Sequence, residues 1–173
     1  MGDPAMKREP DVEDALNSHR SILVVDDDDM VRAALVRTLH SAGYQVRDAA
    51  SAQQALEMLK ESRSDVVLSD HLMPDMTGLE LLMRVRDRYP DCLRIIITGH
   101  AEMKVAIDAI NQGEVYRFIT KPWDNTELKV MLHVAFEYLE LQREHRLLLA
   151  MVRTQSPLTK ALKEHVRGRQ DPI

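Results

Sequence analysis

From Ser21 onward, short apolar runs alternate with segments whose apolar residues recur every three or four positions. Ile22–Val25 is apolar and runs straight into acid. Val31, Leu35, Val36 and Leu39 follow at helical spacing, with Gly43 as a stop signal. Tyr44–Ala49 alternates like a strand; Ser51 and Gln54 make a capping box ahead of Ala55, Leu56 and Leu59. Val66–Leu68 reads as strand and ends at Ser69-Asp70, and Thr77 with Glu80 opens a helix over Leu79–Tyr89. Ile95–Ile97 is strand closed by Thr98-Gly99, and Val105, Ala106, Ala109 and Ile110 mark a helix stopped near Gly113. Arg117–Thr120 is the last short strand, and Asp124 with Glu127 starts a long helix. Five strand–helix units of this kind predict an α/β fold with a parallel sheet covered on both faces and right-handed crossovers.

In such sheets a ligand site lies beyond the carboxyl ends of the strands. Four of those ends carry polar groups: Asp26-Asp27-Asp28-Asp29, Asp70, Thr98 and Lys121-Pro122. Taken singly, an acidic run is a solvated helix start favoured by the dipole, and a lone Thr or Lys is surface. Together they make chemical sense. Converging carboxylates repel and need a cation; hard oxygen ligands suit Mg²⁺, which bridges readily to phosphate oxygens. A lysine ammonium and a threonine hydroxyl both suit a phosphoryl group. A carboxylate beside the metal can act as nucleophile and form an acyl phosphate.

Composition narrows the class without changing this reading. Hydrophobic residues are 45% and charged residues 29%, which excludes collagen, a mucin-like stalk and wholesale disorder. The single cysteine, Cys92, excludes a disulfide framework and a cysteine-built metal site, so a reducing, cytoplasmic setting is expected. The longest apolar run, Leu147–Val152, is far short of the roughly 20 residues that span a bilayer, so no membrane partner is expected. Net charge is −5, which argues against nucleic-acid binding by the whole chain. The region from Gln142 to Gln170 departs from this, with seven Lys or Arg against two Glu; a solvated helix face explains it, and it holds no recognisable helix-turn-helix.

The motifs Ile22-Leu23-Val24-Val25-Asp26-Asp27-Asp28, Asp70-His71-Leu72-Met73-Pro74-Asp75-Met76-Thr77-Gly78, Ile97-Thr98-Gly99 and Phe118-Ile119-Thr120-Lys121-Pro122 resemble, in order, the receiver domain of two-component response regulators. The resemblance covers Ser21 to Glu140 and implies a flavodoxin-like five-stranded doubly wound sheet of order 2-1-3-4-5. It implies that Asp70 accepts a phosphoryl group from a histidine kinase or phosphotransfer protein. It implies that Mg²⁺ binds Asp27, Asp70 and the carbonyl of Leu72, with Asp26 acting through a metal-bound water. Thr98 and Lys121 would hold phosphoryl oxygens, Phe118 would be the switch aromatic, and Lys121-Pro122 would be cis. Asp28 stands where the family commonly has Glu, and Gly99 where it commonly has Ala or Ser. Gly78 is expected to supply turn angles, and His71 to be a solvent-facing loop residue. The module is expected to signal rather than to act as an enzyme on other substrates.

The last helical pattern outruns the resemblance. Met131, Val134, Tyr138, Leu141, His145, Leu148, Val152 and Gln155 step alternately by three and four, the a/d seam of a coiled coil, and predict a homodimer through this helix. Pro157 is expected to end it. The expected organisation is a disordered leader over 1–19, the receiver over 20–140, a helical coiled-coil extension over 141–156 and a short basic tail over 157–173. The stretch Gly113–Trp123 with the extended helix also resembles receivers that precede HD-type cyclic-dinucleotide phosphodiesterases or ATP-driven transcription activators, so the chain is also read as the receiver piece of such a regulator. A different class remains open: Asp26-Asp27-Asp28 after an apolar strand fits the Asp-x-Asp signature of haloacid-dehalogenase-like phosphotransferases, with Asp26 as nucleophile, although that leaves the Asp70 motif unexplained.

Overall fold

The computed structural model describes residues 19–167, with side chains through residue 152; the expected leader before residue 19 lies outside the described residues. Five strands, β1 (Ser21–Val25), β2 (Gln45–Ala49), β3 (Val66–Asp70), β4 (Leu93–Thr98) and β5 (Arg117–Thr120), alternate with helices α1 (Asp29–His40), α2 (Ala52–Glu61), α3 (Gly78–Arg88), α4 (Met103–Asn111) and α5 (Asn125–Arg167). One turn of 3₁₀-helix, His100–Glu102, precedes α4. All pairings are parallel and the sheet order is β2-β1-β3-β4-β5.

The expected strands are present, and β1, β3 and β4 are longer than the apolar runs, β1 by Ser21 alone. β3 continues through Ser69 and Asp70, paired with Ile96 and Ile97, and β4 begins at Leu93 and ends at Thr98. Main-chain pairing is indifferent to side-chain polarity, so an apolar run understates a strand whose polar end residues, here Ser69, Asp70 and Thr98, are paired and buried as well. Both faces are covered. Leu23, Val25, Val67 and Ile96 pack in one cluster with Ala55 and Leu59 of α2, Leu81 and Val85 of α3, and Ala106 and Ala109 of α4. The alternate strand residues Ile22, Val24, Leu68, Ile95 and Ile97 are fully buried as well, as are Leu35 and Leu39 of α1. Each such side chain contributes about 1.5–3 kcal/mol by leaving water.

Local signals set the helix ends. Asp28 caps α1, its carboxylate accepting from the amides of Met30 and Val31. Gly43 ends α1 at φ 82°, in the left-handed region that favours glycine, and donates its amide to His40. Ser51 caps α2 through the Gln54 amide, while the Gln54 side chain reaches back to the amide of Ala50. Thr77 and Glu80 form a complete capping box on α3. Asp124 accepts from the amides of Thr126 and Glu127 at the start of α5.

Two units meet inside α5, with the boundary between His133 and Val134. On the first, Leu128 and Leu132 are buried. In the second, Ala135, Phe136 and Leu139 are buried, whereas Val134, Tyr138, Leu141, Leu148 and Val152 of the expected seam are exposed. Gln155, the last seam position, has a side chain outside the described residues. The helix does not end at Pro157, as expected from the sequence, but runs to Arg167. An interior proline removes one N–H bond and costs about 3 kcal/mol, yet the turns on either side can keep their own bonds.

Candidate functional site

The carboxyl ends of β1 and β3 bring three carboxylates together: oxygens of Asp26, Asp27 and Asp70 lie within 4.8 Å of one another. Asp26 and Asp70 are buried and Asp27 is exposed. Asp26 immediately follows β1, and its amide bonds the carbonyl of Ala49. Its carboxylate accepts from the Asp28 amide at 2.9 Å and from Lys121 at 3.1 Å. Asp70 is the last residue of β3 and is held on its far oxygen by the Leu72 amide at 3.0 Å.

Lys121 supplies the counter-charge. Its Nζ lies 2.6 Å from Asp70 Oδ1 and 3.1 Å from Asp26 Oδ2. The residue follows β5, and its amide bonds the carbonyl of Thr98 at 2.8 Å, which ties the ends of β4 and β5 together. Lys121-Pro122 is cis, as the resemblance implied. Burial pushes the Asp26 carboxyl above its usual value, with the Asp28 amide and Lys121 pulling the other way. Burial alone would lower Lys121, but its bonds to Asp70 and Asp26 outweigh it and hold the ammonium above its usual value.

Thr98, almost fully buried, ends β4; its hydroxyl has one weak bond, to the Gly99 carbonyl at 3.3 Å. Phe118 is half-buried and packs against the core cluster, opposite Ile96 of β4 and two residues before the pair Thr98–Thr120. The side chains of Asp26, Asp27, Asp70, Thr98 and Lys121 therefore stand at one edge of the sheet, with Phe118 two residues inside it, and the Leu72 carbonyl belongs to the loop beside Asp70. The donor set is all oxygen and anionic, which fits a hard divalent cation such as Mg²⁺ and not a softer, sulfur-seeking one.

Two expectations need correction. His71 is not solvent-facing: it is 9% exposed, and its Nδ1 has no partner among the described residues. Its amide donates to Ile97 and its carbonyl accepts from Gly78, so the main chain continues the β3–β4 ladder one step past Asp70 and the acceptor loop closes behind it. Gly78 serves space rather than turn angles. A Cβ there would lie 1.8 Å from the Asp70 carbonyl oxygen, while the left-handed position of the loop is taken by Asp75 at φ 64°. Sequence spacing also left Arg32 unnoticed. Its guanidinium bonds the Asp26 carbonyl at 2.8 Å and the carboxylates of Asp48 and Asp29. A charged residue on a surface helix carries no pattern that marks such a contact.

Comparison with known proteins agrees with this arrangement. The hydrogenase transcriptional regulatory protein HoxA of Cupriavidus necator is 36% identical over 141 residues, covering 81% of this chain. The C4-dicarboxylate transport transcriptional regulatory protein DctD of Rhizobium meliloti is 38% identical over 126 residues. The chain spans 29% and 27% of the lengths of these relatives. Among solved structures, the signal receiver domain of an HD domain-containing protein from Pseudomonas fluorescens is 38% identical with a TM-score of 0.67, covering 72% of this chain and 92% of that one. No helix among the described residues is long and apolar enough to cross a membrane. The response regulator receiver domain family matches residues 22–133, the stretch that builds the sheet and every side chain of the acidic edge, and the chain belongs to that family of signalling modules.

Proposed function

We propose that this chain is a phosphorylation-controlled switch in which Asp70 accepts a phosphoryl group from a histidine kinase or phosphotransfer protein. The observation that carries this reading is Lys121, placed within bonding distance of both Asp26 and Asp70 at the mouth of an all-oxygen acidic site. An Asp70 carboxylate oxygen attacks phosphorus; the bond from phosphorus to the donor's imidazole nitrogen breaks, and its electron pair leaves with the imidazole. The product is an acyl phosphate. Asp27, Asp70 and the Leu72 carbonyl would hold Mg²⁺, with Asp26 acting in support, and the ion would neutralise charge on the phosphoryl oxygens. Lys121 exchanges part of its contact with Asp70 for a phosphoryl oxygen, and the Thr98 hydroxyl, weakly bonded at present, turns to another.

Movement of Thr98 frees space beside Phe118, whose ring gains by burial and has no hydroxyl to satisfy. The output read from this change is self-association of two copies along the exposed seam of α5, from Val134 to Val152. The names of HoxA and DctD favour a role in transcriptional control within a longer regulator, and the Pseudomonas fluorescens relative favours an HD-type output.

The test is labelling with acetyl phosphate in the presence of Mg²⁺, read by intact mass. One phosphoryl group per chain is expected, and none when Mg²⁺ is chelated beforehand or in Asp70→Asn. Full labelling of Asp70→Asn would refute the assignment.

A further inference from the structure

We propose that Arg32 is a positioning residue for the divalent-cation site, holding the peptide between Asp26 and Asp27 in the orientation that presents both carboxylates. This rests on the Mg²⁺ reading above. Arg32 lies three residues into α1, and its side chain is only 14% exposed. Its Nη1 donates to the Asp26 carbonyl at 2.8 Å, its Nε to Asp48 of β2 at 2.9 Å, and its Nη2 to Asp29 in the first turn of α1.

Each contact has a separate consequence. The Asp26 carbonyl belongs to the peptide plane shared by Asp26 and Asp27, so fixing it sets the ψ of one acid and the φ of the next. Asp48 anchors the guanidinium to the edge strand, where it stands opposite Val24 of β1. Asp29 and Asp48 neutralise a cation that would otherwise oppose Mg²⁺. Three acceptors at fixed angles suit the planar fork of arginine and exceed what one lysine ammonium can hold in place. The carboxylate contacts are to exposed partners, Asp29 at 86% and Asp48 at 50%, where ion pairs add little to stability. The consequence of the clamp therefore falls on site geometry.

The proposal makes a sign prediction that separates it from its alternatives. Removing a positive charge near a cation site tightens Mg²⁺ if Arg32 acts through charge alone. It leaves affinity unchanged if the clamp serves only stability. It weakens affinity if the clamp positions the ligands. Mg²⁺ titration by calorimetry on the full chain, well below its melting temperature, is expected to show Arg32→Gln binding about 10-fold more weakly. Arg32→Lys should fall between, and Arg37→Gln, an exposed arginine of the same helix, should match the wild type. Unchanged or tighter binding by Arg32→Gln overturns the proposal. If that variant does not fold, unchanged affinity in Arg32→Lys overturns it equally. Absence of binding by the wild-type chain overturns the Mg²⁺ reading and the proposal with it.

Discussion

The unit ending at His133 and the stretch of α5 from Val134 to Val152 carry the same apolar spacing but differ in how much of it is buried. In the first, apolar residues at helical spacing are covered by the chain itself: Leu35 and Leu39, Ala55 and Leu59, Leu81 and Val85 are all buried. In the second, Ala135, Phe136 and Leu139 are buried, but Val134, Tyr138, Leu141, Leu147, Leu148, Met151 and Val152 remain exposed. Spacing therefore states which face of a helix is apolar, not what covers it. The acidic edge and the seam also differ in kind. The carboxylates of the edge are gathered from β1 and β3, whereas the seam is an exposed apolar face.

Core truncation gives the largest expected difference between the two regions. Leu68→Ala opens a cavity in a fully buried strand and should cost about 2–5 kcal/mol in urea unfolding. Leu148→Ala, on the exposed face, should change the unfolding free energy of dilute chain by under about 0.5 kcal/mol. Equal losses at both positions would erase the contrast. Next comes Gly78→Ala. The added carbon must displace the Asp70 main chain or the start of α3, for about 1–3 kcal/mol and a loss of labelling at Asp70 greater than its loss of stability. Retained labelling with a native melting temperature would show that the loop gives way freely.

The seam itself is probed by Leu141→Glu with Leu148→Glu. Sedimentation should show roughly tenfold weaker self-association, about 1.4 kcal/mol, with the receiver unit still folded. Unchanged sedimentation would make the seam a solvated face. The smallest effect is on acid stability. Glu80 and Asp124 are held below the usual carboxyl range, Glu80 by the Thr77 amide and hydroxyl, Asp124 by the amides of Glu127 and Thr126. Since the folded state favours their ionised forms, their contribution is complete above the unfolded values of 4.5 and 3.8 and is lost as pH falls through the lowered folded values. The melting temperature of Glu80→Gln with Asp124→Asn should decline less steeply below pH 4.5 than that of the wild type. Parallel declines would remove the caps from the account.

Much of the fold was legible because its three central strands are buried on both faces and read as apolar runs such as Ile22–Val25, while the partly exposed edge strands β2 and β5 showed alternation or mere shortness. The site was legible because parallel strands all end on one edge, so Asp26, Asp70, Thr98 and Lys121 had to be neighbours once the units were counted. What remained hidden depended on contacts distant in sequence. His71 is polar and adjoins a loop, and its burial follows from bonds to Ile97 and Gly78 that no local pattern announces. Arg32 is separated from Asp48 by a helix and a turn, and only the parallel pairing of β1 with β2 brings them together. The buried stripe Leu128, Leu132, Ala135 and Leu139 was written at the same spacing as the seam beside it, and spacing alone does not rank two faces of one helix.

The most direct test of the phosphoryl-switch reading is to map the modified residue. Wild-type chain treated with Mg²⁺ and acetyl phosphate, then reduced with borohydride and digested, should carry the reduced aspartate at position 70 and nowhere else. Modification at Asp26 would instead support the dehalogenase-like alternative and contradict the account.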